Sequence, residues 1–303
     1  MDGQAARRSD LASNFVARAR KLIPLLQAAG PKIDAGRELP EDVLSAMHGA
    51  GLFRLLLPRS IDGEELAPSV YVQVVDAVAT GDASAAWCMN QNSGCSMIAA
   101  YLAPDAARRV FGRANDVLAW GQARGRARAD KVPGGWVVTG TWLFASGSRH
   151  ATWLGGRCPV LESNGTQRLL PNGTAMERIM LFPRASARIE DVWRVLGLRG
   201  TGSDTYSVEG LFVPDDLSAT RDFDTERREH GMLYRFSTTN IYASGFGAVG
   251  LGIARGMLDD FVRVAAAKTP ALSSTPMMES GMVQSLIGVS DARLKSARCW
   301  LVQ

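Results

Sequence analysis

The feature that most constrains this chain is a double change in the spacing of its apolar residues. Up to about Tyr101 they recur at three- to four-residue multiples, between about Asp116 and Pro214 they alternate, and from about Arg235 the helical spacing returns. Alternation places successive side chains on opposite faces of a strand, whereas the longer period builds one stripe along a helix. The expected order is therefore helical, β, helical. The boundaries fall near 1–115, 116–217 and 218–303, with a compact β-sandwich or barrel in the middle.

In the first block Leu11, Phe15, Leu22 and Leu26 form one stripe. Pro40 opens a second helix, with Glu41 and Asp42 in its first turn and Gly51 past its end, the usual order of start and stop signals. Val43, Leu44 and Met47 give it an apolar face, and His48 near its C-terminus reads as structural. In the middle block "DVLAWGQARGRARA", "GGWVVTGTWLF", "RIMLFPRASARI" and "YSVEGLFVP" are short strand-like runs. Pro133-Gly134-Gly135, Asn164-Gly165, Asn172-Gly173 and "GLRGTGSD" (197–204) mark the turns between them. Asn164 and Asn172 match a glycosylation pattern but read better as hairpin turns. In the last block Gly245, Gly247, Gly250 and Gly252 would each cost a free helix roughly 1 kcal/mol. They predict a surface against which another helix or a ligand packs closely. The final segment is amphipathic and stops without a cap, as if the chain ended inside an incomplete helical bundle.

Charge and cysteine usage exclude several function classes. The net charge of +4 is scattered, with no basic block, which argues against nucleic acid. Cys88, Cys95, Cys158 and Cys299 lie far apart without metal-ligand spacing, so reduced thiols in a cytoplasm and no metal are expected. No secretory leader is visible, and the run "GFGAVGLGIA" is too short and glycine-rich to span a bilayer.

The stretch "GTWLFASGSRHATW" (140–153) is the strongest candidate for chemistry. A buried aromatic strand runs into Ala145, Ser146 and Gly147, which make either an ordinary turn or a floor for a flat ligand. Together with "LPEDVLSAMHGAGLFRLLLP" (39–58), "GDASAAW" (81–87), "LGLRGTGSDTYSVEGLFVP" (196–214) and "GAVGLGIARGMLDDF" it resembles the acyl-CoA dehydrogenase superfamily. "GDASAAW" and "GTWLFASGSRHATW" look most like its flavin-dependent monooxygenase branch, which includes hydroxyphenylacetate hydroxylase oxygenases and dibenzothiophene monooxygenase. The resemblance implies a helical N-terminal domain, a central β-domain and a C-terminal helical bundle, assembled as a homotetramer or dimer. The flavin would lie between β-domain and bundle.

By that resemblance Phe144 would pack on the flavin ring, Ala145 and Gly147 would admit it, and the Ser146 hydroxyl would aim at N5 or the oxygen adduct beside it. Trp120 would wall the flavin, and Gln122, with donor and acceptor on one amide, would bridge ring and substrate. Ser146 and Gln122 are thus the candidate catalytic contacts. Asn92 and Ser96, four apart on one helix face, would line the substrate pocket. Arg124, Arg126 and Arg128 share a strand face by their spacing and read as a solvated basic surface. His150 reads as a loop histidine and His230 as surface.

The branch follows from a missing carboxylate. An acyl-CoA dehydrogenase needs an acidic base near the substrate α-carbon, yet Phe236 to Leu258 holds no Asp or Glu. "RVAAAKTPALSSTP" also stands where the dehydrogenase signature would follow. A monooxygenase needs instead a dry pocket around its flavin. The reading is an oxygenase component that receives reduced flavin (FMNH2 or FADH2) from a separate NAD(P)H:flavin reductase and oxygenates a small aromatic or heteroatom substrate. The alternatives are an acyl-CoA dehydrogenase with FAD and a catalytically silent truncated subunit. The last would expose Leu286, Ile287 and Leu294.

Overall fold

A computed structural model describes residues 2–125, 127–161, 166–221 and 223–303, with side chains of the first helix from residue 14 onward. Five helices come first: α1 (Asp2–Gly36), α2 (Glu41–Gly49), α3 (Pro68–Gly81), α4 (Ala83–Ser96) and α5 (Pro104–Phe111). Phe15, Ala19, Leu26, Ala29 and Ile33 form the buried stripe of α1, with Leu22 half-buried. The Leu11 side chain lies outside the described residues. Pro40 precedes α2, and Gly51 beyond its end adopts φ +76°, the left-handed conformation glycine tolerates. Asp82 caps α4 by accepting from the Ala85 N–H at 2.8 Å. Helix α4 is buried although polar, with Asn90, Asn92, Ser93 and Ser96 all inside. Those groups must find partners there.

The middle block holds β1 (Leu118–Trp120), β2 (Gln122–Ala123), β3 (Arg128–Val132), β4 (Gly135–Ala145), β5 (Trp153–Pro159), β6 (Glu177–Pro183), β7 (Arg188–Glu190), β8 (Asp204–Pro214) and β9 (Ser218–Ala219). They make two sheets, ordered β1-β5-β6-β9 and β2-β4-β8-β7, with β3 also on β4. Trp142 of β4 is fully buried between them, stacked on Tyr206 at 5.3 Å and 6.2 Å from Phe182. Its indole N–H donates across to the Arg157 carbonyl, and the Tyr206 hydroxyl donates to that of Gly155.

The run read from sequence as one alternating strand is divided. At Gly121 it passes from one sheet to the other, β1 pairing parallel with β5 and β2 antiparallel with β4. A Cβ on Gly121 would lie 2.1 Å from the Leu143 carbonyl oxygen, so only glycine permits the crossing. A second break at Gly125 (φ +65°) separates Arg124 from Arg128. The two do not share one strand face, although both are exposed; Arg126 lies outside the described residues. Asn172-Gly173 does form a tight turn, with the Asn172 side chain accepting from the Thr174 N–H at 3.0 Å. Asn164-Gly165 lies outside the described residues.

Helices α6 (Thr238–Ala267) and α7 (Gly281–Val302) complete the fold. Of the five glycines in α6, Gly245 and Gly252 sit at the closest approaches. A Cβ on Gly245 would lie 1.8 Å from Asn90 Oδ1, and one on Gly252 would lie 2.4 Å from the Ala79 Cβ and 2.6 Å from the Asp76 carbonyl. Gly250 faces open space. Arg298 of α7 reaches Asp76 of α3 through two hydrogen bonds of 2.7 and 3.0 Å. By length and composition α6 is apolar enough to cross a membrane, contrary to the expectation from its glycine-rich run. It packs here along α3, α4 and α7. Leu286 is exposed and Ile287 half-buried, but Leu294 is buried, which corrects the expectation for that residue.

Candidate active site

Helices α4 and α6 meet the sandwich at a cleft of about 340 Å³. The β-domain contributes Trp120, Gly121, Gln122, Phe144, Arg157 and Ile179, α4 contributes Gln91, and α6 contributes Thr238, Thr239, Tyr242 and Phe246. Arg221, on the segment after β9, also lines it. The volume lies at the lower end of the roughly 300–1,000 Å³ usual for small-molecule sites. Phe144 is 56% exposed at the cleft. Its φ of +59° is strained for an aromatic residue. A β-bulge between Trp142 and Ala145 turns it out of the alternation that buries Trp142. The bulge thus presents a flat apolar face beside Trp120 and the Gln122 amide, a wall that fits a planar heteroaromatic ring with polar edges.

The other sequence-predicted residues lie behind that wall. Ala145, Ser146 and Gly147 are buried and do not line the cleft. The Ser146 hydroxyl is 3.0 Å from the Trp87 indole nitrogen and 2.7 Å from Ser203 Oγ; Ser203 is 2.7 Å from Thr201 Oγ1, which donates to the Leu198 carbonyl at 2.9 Å. One direction satisfies all four groups. The indole N–H donates to Ser146, Ser146 to Ser203, Ser203 to Thr201, and Thr201 to the carbonyl. In that direction the Ser146 proton points inward, and the residue stands behind the cleft wall rather than on the lining expected from the sequence. Trp87 links it there indirectly, its ring lying 4.4 Å from that of Phe246.

Asn92 and Ser96 are likewise interior rather than pocket residues. Asn92 donates to the Leu118 carbonyl at 3.1 Å and, at 3.5 Å, to that of Ser146, and its Oδ1 lies 3.1 Å from His150 Nε2. It props the turn from below: a Cβ on Gly147 (φ +78°) would lie 2.6 Å from its Oδ1. The Ser96 hydroxyl donates back to the Ser93 carbonyl. Pocket-lining Gln91 is the neighbour of Asn92, a rotation of one helical position. His150 is no free loop histidine. It is held between Asn92 and the Phe53 ring, and burial, with His48 and Arg184 nearby, pushes its pKa down to about 3. His230 is exposed as expected.

Ion pairs fix the turn from the other side. Arg149 donates to Asp204 at 2.7 Å and to Asp191 at 2.9 Å, and Asp191 also accepts from Arg37 beyond α1. Asp204, almost wholly buried, accepts from the Val192 and Trp193 N–H groups as well. The "GTGSD" run thus serves the turn through its hydroxyls and its carboxylate together.

A family profile described as "Acyl-CoA dehydrogenase, C-terminal domain" matches residues 244–303, covering most of α6 and all of α7. Over that stretch the chain is similar to the acyl-CoA dehydrogenases. The chain is similar to an indole-3-acetate monooxygenase from Pseudomonas putida, 27% identical over 272 residues, covering 90% of this chain and 67% of that protein. It is also similar to the oxygenase subunit HsaA of a flavin-dependent monooxygenase from Rhodococcus jostii (strain RHA1), 33% identical over 196 residues, 64% of this chain and 48% of that one. The chain thus spans about half to two thirds of the length of these relatives. The same fold recurs in XiaF from Streptomyces sp., solved in complex with FADH2 and glycerol, with a TM-score of 0.86 at 22% identity over 99% of this chain and 76% of that one.

Sequence reasoning placed Trp120, Gln122 and Phe144 at the cleft. It missed Gln91, Arg157, Ile179, Arg221, Thr238, Thr239, Tyr242 and Phe246. The four-residue spacing of Tyr242 and Phe246 in a helix already suspected of facing a ligand was the one usable signal. Arg221 carried none.

Proposed function

We propose that this chain is the oxygenase component of a flavin-dependent monooxygenase. It holds a reduced flavin, FMNH2 or FADH2, in the cleft between β-domain and helices and oxygenates a small aromatic or heteroatom-bearing substrate there. One observation carries the reading: the cleft presents two ring faces and a free-standing amide, and none of its described lining residues is Asp or Glu. Desaturation of an acyl thioester requires a carboxylate base within hydrogen-bond reach, and the described lining of the cleft offers none. The named activities of the relatives support the same choice.

When bound, the reduced flavin supplies the two electrons that activate oxygen. The protein's part is to bind, orient and keep dry. Phe144 and Trp120 offer stacking surfaces, and the Gln122 amide offers a donor and an acceptor to ring edge or substrate. Tyr242 and Phe246 cover the helical side, excluding water from the reacting atoms. Ser146 acts on the site through the turn it holds rather than by contact. A separate reductase supplies the flavin, as the word "subunit" in the relative's name suggests. Four cysteines without a disulfide fit a reducing cytoplasm, and self-association as a dimer or tetramer would cover the exposed faces of α6 and α7.

Anaerobic titration with FADH2 and FMNH2, then mixing with isotopically labelled oxygen and a panel of phenols and indoles, tests the proposal. Quenching of tryptophan fluorescence by at least one reduced flavin and label in an aromatic product are expected. Failure of both flavins to bind, or bleaching of bound FAD by an acyl-CoA thioester under argon, overturns it.

A further inference from the structure

The cleft differs from the other cavities in charge. Those lined by Arg149, by Arg128 with Arg157, and by Arg124 with Arg188 each also carry Glu or Asp. Among its described lining residues the cleft carries Arg157 and Arg221 and no carboxylate. Arg157 is balanced from outside by Glu177, 3.2 Å away. For Arg221 no carboxylate lies within ion-pair distance among the described residues. Its guanidinium lies over the Trp120 ring, 5.1 Å from the centroid, and donates once, to the Gly94 carbonyl at 3.3 Å. That carbonyl is one of the last four of α4, free of a helical partner and at the negative end of the helix. The helix can present it because Gly94 has no side chain: a Cβ there would lie 2.3 Å from the Tyr242 ring.

Arg221 is thereby aimed and only partly satisfied. Of five N–H donors one is engaged by a described partner, and a half-buried guanidinium with no described carboxylate beside it is costly to hold. Burial and the charge of Arg157 both weaken its hold on its proton. A ligand anion offsets that cost, and a planar two-oxygen group matches the guanidinium fork.

We infer that Arg221 anchors an anionic group, a carboxylate or similar oxyanion, carried by an aromatic substrate whose ring lies in the cleft beside Trp120 and Tyr242. This rests on the reading of the cleft as the reaction site and adds the charge of the substrate to it.

Binding of matched acid and amide pairs, indole-3-acetate with indole-3-acetamide and phenylacetate with phenylacetamide, tests it without flavin or turnover. In the wild-type chain at least one acid is expected to bind about tenfold more tightly than its amide, about 1.4 kcal/mol. Arg221→Met should erase that preference by weakening the acid alone. Arg221→Lys should retain part of it, and Arg157→Gln should leave most of it. Equal binding of acid and amide, no acid binding in the millimolar range, or an unchanged preference in Arg221→Met overturns the assignment. A flavin arm separates the other source of an anion: if Arg221→Met weakens FMN but not riboflavin, the residue serves the cofactor phosphate and the substrate assignment falls. Acid binding that needs Arg221, without oxygenation by reduced flavin, would sink the proposed reaction and leave this anion site standing.

Discussion

At Phe144 backbone strain and exposure coincide. An aromatic residue in the left-handed region costs about 1 kcal/mol or more, and here the ring it carries is turned out of the core. Such strain persists where surrounding structure imposes it, and the bulge above the Ser146 hydroxyl chain does so here. Phe144→Gly removes strain and ring together. It should hold or raise the unfolding midpoint in urea while weakening reduced-flavin binding about tenfold, the loss expected for one stacking face. A variant that binds flavin as tightly as wild type would show that the exposed ring has no part in the site.

At the scale of elements, the glycines of α6 divide by what faces them. Gly252 lets α6 approach α3 until a methyl group would overlap the Asp76 carbonyl and Ala79, whereas Gly250 faces nothing within 4 Å. Gly252→Ala should destabilise the chain by about 1–3 kcal/mol through overpacking. Gly250→Ala should stabilise it by about 0.5–1 kcal/mol, since alanine is the better helix former. Thermal denaturation of the two variants beside wild type decides; shifts of the same sign would mean that the α3–α6 approach is looser than described. The helix α4 shows the same dependence on neighbours, because Asn92 is interior only while β1 and the turn supply acceptors and Asn90 only while Tyr71 of α3 donates to it.

For the molecule as a whole, His150 is a titrating group set where separate parts meet, lying against Asn92 of α4, Phe53 beyond α2 and the Ser146 turn. It is neutral in the fold, with a pKa of about 3 against an ordinary value of 6.5. As the pH falls the unfolded chain takes up this proton first. The stabilisation is therefore full above about pH 6.5 and is lost between there and about pH 3, with a limiting slope of about 1.4 kcal/mol per pH unit. Burial lowers the pKa of His48 in the same direction. Urea unfolding at intervals from pH 7 to 4 should show stability falling more steeply in wild type than in His150→Gln. Equal slopes would mean that His150 is as free to ionise in the fold as out of it.

The order of helical, β and helical blocks was legible in the sequence, because apolar period and turn residues are local properties that each segment carries by itself. The cleft wall was reached through the family resemblance, Phe144 from the motif that joins an aromatic strand to a small-residue turn and Trp120 and Gln122 from the facing "AWGQA" stretch. Tertiary structure alone decided which way the hydroxyl of Ser146 points, that Asn92 and Ser96 face inward while Gln91 faces the cleft, and that Arg221 enters it at all. These depend on partners distant in the chain: Ser203 is 57 residues from Ser146, and Gly94 is 127 residues from Arg221. A side chain's direction is set by the donors and acceptors that the fold brings within about 3 Å of it, and no local pattern records those.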